Sequence, residues 1–134
     1  MAEVHGKNSY LSLNAVDISP WVDTGELQRR ISTAQTNTFG DANEEHIQGV
    51  MGATIPFSGK WDPASSAIDE TLNTAFTNSG AVAWIFGPAG STGGYVKYSG
   101  NCIVTDYSIS SSVGDKVTVS GTLIVTGAVT RGTF

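Results

Sequence analysis

The C-terminal segment of the chain has the most regular alternation of apolar and polar positions. Between Val117 and Thr126, apolar residues or glycine occupy the odd positions, and mostly Thr or Ser occupy the even ones. A period of two is typical of a β-strand with one buried face. A solvent-facing strand commonly carries Lys and Glu, whereas this one carries small hydroxyls. We predict a final strand with an apolar core face and a hydroxyl face. The core face holds Val117, Val119 and Leu123. The hydroxyl face holds Thr118, Ser120 and Thr122.

Shorter runs with the same period predict further strands. Pro56 lies on the polar face of one run, which favours an edge strand or a strand with a bulge. Gly100 interrupts another run and predicts a kink or bulge there. Leu27 and Ile31 are predicted to point inward from residues 26–32. One face of the run over residues 51–61 comprises Met51, Ala53, Ile55, Phe57, Gly59 and Trp61. The other predicted strands cover residues 10–13, 26–32, 81–87, 95–99 and 101–108.

One segment has the period of an α-helix. Asp62 and Pro63 resemble an N-cap followed by proline at the first helical position. Apolar residues then recur at spacings of three and four, which indicates one buried stripe. We predict one α-helix over about residues 63–79. The residues predicted to form one core between this helix and the sheet are Phe57, Trp61, Ile68, Leu72, Phe76 and Trp84.

These elements predict the fold class. The chain is expected to be mainly β, a β-sandwich or partly closed barrel of about seven to eight strands with one flanking helix. Its 134 residues suit a single domain over residues 1–134.

Residues 33–50 form the longest stretch without a period. Such stretches are commonly functional or mobile. The predicted loop contains an acidic cluster and two apolar residues able to anchor it, and we expect it to be mobile in an isolated subunit. These candidate contact residues are Phe39, Asp41, Glu44, Glu45 and Ile47.

Composition excludes several functional classes. Charged residues make up only 14% of the chain and the formal net charge is −5, which argues against a protein that grips nucleic acid. A single cysteine, Cys102, excludes an internal disulfide and a multi-cysteine metal site. No apolar run approaches membrane-spanning length. No signal peptide is recognised at the N-terminus, so a cytoplasmic site of synthesis and assembly is expected.

The search for catalytic chemistry is negative. The glycine-rich stretch 87–94 lacks the Lys–Ser/Thr pair of a phosphate-binding loop. His5 and His46 have no second histidine at metal-ligand spacing and are expected to be surface residues. We therefore predict no catalytic, cofactor-binding or metal-ligating residues and no enzymatic activity.

Six short stretches, spread over nearly the whole chain, carry a family resemblance. They are H-G-K-N at 5–8, T-x-T-F-G at 36–40, S-G-K-W-D-P at 58–63, F-G-P-A-G-S at 86–91, Y-S-G-N at 98–101 and V-T-G-A-V-T-R-G-T-F at 125–134. With the order of elements, they resemble the tail tube (major tail) proteins of long-tailed bacteriophages. The resemblance is closest to small tail proteins of phages that infect actinobacteria.

This resemblance implies a structural virion protein that forms stacked, hexameric rings around a channel for genomic DNA. The hydroxyl face would line the channel, where DNA is only a transient cargo. The acidic loop would contact the next ring, and Arg29, Arg30 or Arg131 would receive it. Implied partners are further copies of the chain and other tail proteins, such as the tape measure and the tail terminator. The implied location is the virion tail, assembled in the host cytoplasm.

Two alternatives remain open at this point. A capsid decoration or head–tail joining protein can be built from a similar sandwich. A carbohydrate-binding module would use exposed aromatic residues, of which the candidates are Tyr10, Trp21, Trp61, Trp84, Tyr95, Tyr98 and Tyr107.

Overall fold

The chain folds into one antiparallel sheet and one helix. The computed structural model describes residues 6–40, 42–65, 67–78 and 80–134. After a short 3-10 turn at Gly6–Asn8, the described elements are β1 (Tyr10–Leu13), β2 (Val16–Asp17), β3 (Val22–Gly25), β4 (Gln28–Gln35), β5 (His46–Lys60), α1 (Ile68–Thr77), β6 (Val82–Gly87), β7 (Val96–Ser110) and β8 (Thr118–Thr133).

The sheet has the strand order β2-β1-β6-β7-β8-β5-β3, and β4 also pairs with β5. It curls into a half-barrel, and α1 packs against β7 and β1. Residues of β1 and β3, from the two ends of the sheet, line one groove of about 540 Å³. The mainly β fold with a partly closed barrel and one helix is therefore confirmed.

The core lies between α1 and one face of the sheet. The strand periods predicted this face well, because Ile55, Phe57 and Trp84 are buried as expected. Trp61 is half-buried and packs at the edge of the core. Phe76 was predicted to join the core, but its side chain is 48% exposed. The helix buries Ile68, Thr71, Leu72 and Ala75, and Phe76 lies about 100° around the helix from Ala75.

The helix begins five residues later than predicted, at Ile68 rather than residue 63. Asp62 is not its N-cap, because both carboxylate oxygens have other partners. Oδ1 accepts a hydrogen bond of 2.9 Å from the backbone N–H of Ala64, and Oδ2 accepts one of 2.8 Å from Trp21 Nε1. Asp62 therefore holds a turn ahead of the helix, and Ala67 occupies the N-cap position without a side-chain cap.

Two strand predictions also need correction. The strand predicted over residues 26–32 begins later, as β4 at Gln28, and Ile31 is exposed rather than inward. Around Pro56, over residues 54–60, β5 is not an edge strand, because β8 pairs with one side of it and β3 and β4 pair with the other. Pro56 lies where that second partner changes from β3 to β4, and its carbonyl accepts a hydrogen bond from the N–H of Glu26.

The irregularity predicted at Gly100 is present, but the extra residues lie in the opposite strand. Ser99 and Asn101 pair with Thr130 and Thr126 of β8, so residues 127–129 bulge opposite Gly100, which keeps its pairing with Trp84 of β6. β7 is one continuous strand whose register against β8 shifts between Ser99 and Asn101. A Cβ atom on Gly100 would lie 2.9 Å from the carbonyl oxygen of Ala128 and 3.3 Å from Trp84 Nε1. Glycine at this position therefore leaves room for the buried indole of Trp84.

Candidate assembly surfaces

A two-stranded arm extends from the body of the sheet. We define the arm as residues 28–53, which comprise β4, the connecting residues and the first part of β5. All eight residues of β4 are exposed, as are the first six residues of β5. Its base is at Thr54, the residue of β5 that pairs with both β4 and β8. Because a two-stranded hairpin alone is marginally stable in water, the arm is suited to packing against a partner.

The arm contains a bulge that is held by one hydroxyl group. The register between β4 and β5 shifts between Ile31 and Thr33. Oγ of Ser32 accepts a hydrogen bond of 2.9 Å from the N–H of Val50 and donates one of 3.3 Å to its carbonyl. A Cβ atom on Gly49 would lie 2.4 Å from this Oγ. Bulges bend a strand and increase its twist, so the pair helps to set the direction of the arm.

The arm corrects the prediction of an irregular loop over residues 33–50. Thr33–Gln35 pairs with His46–Gln48, and only residues 36–45 remain as a connecting tip. These strands lack an apolar period because neither face of the arm is buried against the chain's own core. Ile47 consequently lies in β5 rather than in a loop.

The tip presents acidic and aromatic groups to solvent. Phe39 is fully exposed, and Glu44 and Glu45 are also exposed. Glu44 Oε2 lies 3.7 Å from His46 Nε2, a surface pair of the kind that contributes little to stability. The predicted contact residue Asp41 and the predicted surface residue His5 lie outside the described residues.

Exposed apolar side chains are concentrated on the arm. Of the eleven large hydrophobic residues that are exposed in the described parts of the chain, five belong to it. They are Ile31, Phe39, Ile47, Val50 and Met51. Exposed apolar patches mark interaction surfaces, so this concentration identifies the arm as an interaction element.

A groove opens where the arm leaves the sheet. β5 and β8 pair from Lys60–Thr118 to Thr54–Ile124 and separate beyond that point. The space between them is a groove of about 480 Å³, which we call the fork groove. It is lined by Arg29, Arg30, Ile31, Met51, Gly52, Ala53, Gly127, Ala128 and Val129. Both strands present backbone edges here without a strand partner in the described chain, and such edges readily pair with another chain.

A hydroxyl-rich surface covers the outer face of three adjacent strands. The two predicted faces of β8 are confirmed at Val119 and Leu123, which are buried, and at Ser120, which is exposed. Val117, also predicted for the core, precedes β8 and is only half-buried. The cross-strand register places three rows of residues across β5, β8 and β7. These rows are Lys60–Thr118–Ser110, Ser58–Ser120–Ser108 and Pro56–Thr122–Asp106.

The sequence prediction missed the contributions of β5 and β7 to this surface. Alternation shows that Ser58 and Ser108 face away from the core, but only the register shows that they flank Ser120. Lys60 and Asp106 are the charged residues in the three rows. The surface is therefore almost free of groups that bind phosphate strongly.

The basic candidates occupy two different places. Arg29 and Arg30 are opposite Ala53 and Gly52 at the base of the arm, and both line the fork groove. Arg131 lies near the end of β8, opposite Tyr98, and does not line this groove. The structure thus brings two of the three predicted arginines to one apolar groove.

Several aromatic residues considered for sugar binding instead hold the fold together. Trp21 donates a hydrogen bond to Asp62, Trp61 donates one to Asp69, and Trp84 is buried.

Two tyrosines also have structural contacts. The hydroxyl of Tyr107 donates to Asp69, and the ring of Tyr10 meets Phe134 edge-on at 5.6 Å. Burial raises the pKa of Tyr107 above its ordinary value, and the hydrogen bond to Asp69 raises it further.

The described residues show little reactive chemistry. They contain no group of three or more His, Cys, Asp or Glu side chains placed to hold a metal ion. Burial raises the pKa of Cys102 to about 12, so its thiol is protonated and unreactive at neutral pH. No helix in this part of the chain has the length and apolar character needed to cross a bilayer.

A match to a known protein family identifies the kind of protein that carries these surfaces. The model of the phage tail tube protein family matches residues 23–131, which include the arm, the helix and the hydroxyl surface. The chain belongs to the phage tail tube protein family. This membership confirms the resemblance to tail tube proteins over the decoration, joining and carbohydrate-binding alternatives. The narrower resemblance to actinobacterial phages stays a prediction. No curated protein matches the sequence significantly.

Solved structures share the fold at low sequence identity. A chain from the virion of a native gene transfer agent particle has a TM-score of 0.82 and 14% identity, covering 97% of this chain and 99% of that one. The tail of an empty gene transfer agent particle, determined with C6 symmetry, gives 0.77 and 13%, covering 97% and 99%. The SPP1 tail tube gives 0.81 and 11%, covering 98% and 80%.

Proposed function

We propose that this tail tube protein is the repeating subunit of a hollow tube made of stacked, six-membered rings through which genomic DNA passes. The observation that carries the proposal is the arm, an exposed ribbon with apolar residues that its own chain leaves uncovered. Membership of the tail tube family and the C6 symmetry of the similar gene transfer agent tail support this architecture. Unpaired strand edges at the fork groove are consistent with a sheet that neighbouring copies complete.

The hydroxyl surface is our candidate for the channel lining. DNA binds tightly to proteins mainly through Lys and Arg contacts with phosphates. Of the chain's seven basic residues, only Lys60 lies in the three rows that contain Thr118, Ser120 and Thr122. A channel lined by small hydroxyl groups would allow DNA to slide without being held.

The arm is our candidate for contacts between rings. Phe39 and Ile47 would supply apolar contacts, and Glu44 and Glu45 would meet arginines of another copy. The tip residues 36–40 and 42–45 are expected to be mobile in the free subunit, because ordering a backbone costs about 1–2 kcal/mol per residue. Contacts with the next ring would offset this cost.

The remaining assignments follow from the tube role. We propose that the subunit has no enzymatic activity and needs no cofactor or metal. Its partners would be other copies of itself, the tape measure and the tail terminator, with DNA as a transient cargo. Assembly in the host cytoplasm would place it in the virion tail.

Electron microscopy of the purified, concentrated protein tests the proposal. Open rings or tubes with a central channel are expected, and a reconstruction should show Ser120 facing the channel. A strictly monomeric protein at high concentration would contradict the tube role. Ser120 on the outside of the tube, or within an interface between copies, would exclude the hydroxyl surface as the channel lining.

Deletion of Asp41 to Glu45 tests the role of the arm separately. We expect a folded, soluble subunit that no longer forms tubes. Normal tubes from the deletion variant would exclude the tip as a contact between rings. Loss of folding would instead assign the tip to the stability of the domain itself.

A further inference from the structure

We infer that the fork groove of one copy is the receptor for the arm tip of a second copy. This inference rests on the proposed function, since it names the surface to which the arm binds. It chooses the groove lined by Arg29 and Arg30 over the surface near Arg131. Three observations carry it, namely the length of the arm, the chemistry of the groove and the chemistry of the tip.

The contact must form between copies because the arm separates the tip from its own groove. The pairs Gln35–His46 and Arg29–Ala53 mark the two ends of the paired strands, six residues apart on β4 and seven on β5. At about 3.3 Å per residue, this separation is about 20 Å. The tip therefore cannot reach its own groove while β4 and β5 remain paired.

The groove offers apolar walls beside positive charge. Ile31 and Met51 form an exposed cross-strand pair, 48% and 62% exposed, and Val129 lies across the groove on β8. Its volume of about 480 Å³ falls within the range of about 300–1,000 Å³ that is typical of ligand pockets. No carboxylate of the described residues forms an ion pair with Arg29 or Arg30.

The tip has the complementary chemistry. Phe39 is a fully exposed aromatic side chain, able to cover the apolar walls. Glu44 and Glu45 carry negative charge close to it along the chain, and their exposure leaves them accessible to the two arginines. Paired apolar and charged contacts of this kind fix the register of an interface.

This geometry also accounts for growth of a tube. Each copy carries one tip and one groove on different parts of its surface, so the contact is heterologous. Heterologous contacts that do not close on themselves generate open filaments. Tip-in-groove contacts would therefore propagate from ring to ring and give the tube a direction.

A charge exchange tests the inference in the full-length protein. One variant carries Arg29→Glu and Arg30→Glu in the groove, and the other carries Glu44→Arg and Glu45→Arg in the tip. Each variant alone would place like charges in every contact, and we expect at least a tenfold loss of sedimentable tubes. An equimolar mixture should restore tubes, because the tip of either variant then matches the groove of the other.

Folding measurements and two control variants separate loss of the contact from other effects of the substitutions. All these side chains are exposed, so circular dichroism and thermal unfolding should match those of the wild type. Arg131→Glu reverses a charge outside the groove and should assemble normally. Phe39→Ser should reduce tubes at least tenfold, whereas Val113→Ser, which alters an equally exposed residue in a turn before β8, should not.

The outcomes distinguish this inference from the proposed function. Rescue by the mixture, with no tubes from either variant alone, would support the tip-in-groove contact. Tubes from the wild type and from the groove variant alike would overturn it and leave the tube role intact. Loss in both variants without rescue would also overturn it, in favour of a different occupant such as a sheet edge of the neighbouring copy. Absence of rings and tubes from the wild type would contradict the tube role itself.

Discussion

The indole Nε1 of Trp61 donates a hydrogen bond of 3.0 Å to Oδ1 of Asp69. The hydroxyl of Tyr107 donates to the same oxygen. One carboxylate in the first turn of α1 therefore connects the residue after β5 with the C-terminal part of β7. Its negative charge also lies at the positive end of the helix dipole. The arrangement fastens the helix to the sheet from two sides.

Replacement of Asp69 by alanine should loosen this connection. The change leaves two half-buried donors without their acceptor, and leaving a buried donor unsatisfied costs about 1–3 kcal/mol. We expect the free energy of unfolding, measured in urea, to fall by about this amount. Asn73→Ala, at an exposed position of the same helix, should change it by less than about 0.5 kcal/mol. Equal effects of the two substitutions would show that the Asp69 contacts do not stabilise the fold.

The raised pKa of Tyr107 predicts a loss of stability in alkali. In the folded protein the hydroxyl holds its proton more tightly than in the unfolded chain, where its pKa is about 10. Its contribution to stability is therefore complete below pH 10 and is lost as the pH rises above that value. Unfolding free energies between pH 8 and pH 11 should fall less steeply for Tyr107→Phe than for the wild type. Cys102 is present in both proteins, so the difference between the two curves reports Tyr107 alone.

Leu72 and Phe76, one helical turn apart in α1, should respond differently to truncation. Leu72 is fully buried, and Leu72→Ala should cost about 2–5 kcal/mol in the free subunit. Phe76 is 48% exposed, and Phe76→Ala should cost less than about 1 kcal/mol because little cavity forms. Denaturant unfolding of the dilute subunit measures both. A large cost at Phe76 would restore the original expectation that this ring belongs to the core.

The bulge in the arm provides a test that spares the core. Gly49→Ala would bring a methyl group to 2.4 Å from Ser32 Oγ and 3.0 Å from its carbonyl oxygen, so the arm must shift. We expect an unchanged melting temperature but fewer tubes in electron micrographs. At Gly132, which does not line the fork groove, an added methyl group meets nothing within 4 Å. Gly132→Ala should therefore assemble better than Gly49→Ala, and the reverse order would refute the role of the bulge.

The spacing of apolar residues within single segments predicted many features of the fold correctly. The alternation around Ser120 predicted both faces of β8, and the missing side chain at Gly100 marked the place where the register of β7 against β8 shifts. Each of these features depends on the residues of one strand and its immediate geometry. Spacing also predicted that Ile68 and Leu72 would be buried, although the start of the helix depended on the hydrogen bonds of Asp62 with Trp21 and Ala64.

The arm and its surfaces depended on the tertiary structure. The strand residues 28–35 and 46–51 of the arm are exposed on both faces, so they have no apolar period, and this part of the sequence resembles a loop. The rows that place Ser58 and Ser108 beside Ser120, and the groove that gathers Arg29 with Val129, depend on pairing between distant segments. Register and strand edges are non-local properties of the folded sheet. The sequence therefore determined which residues face the core, and the folded sheet decided which surfaces are left for other copies.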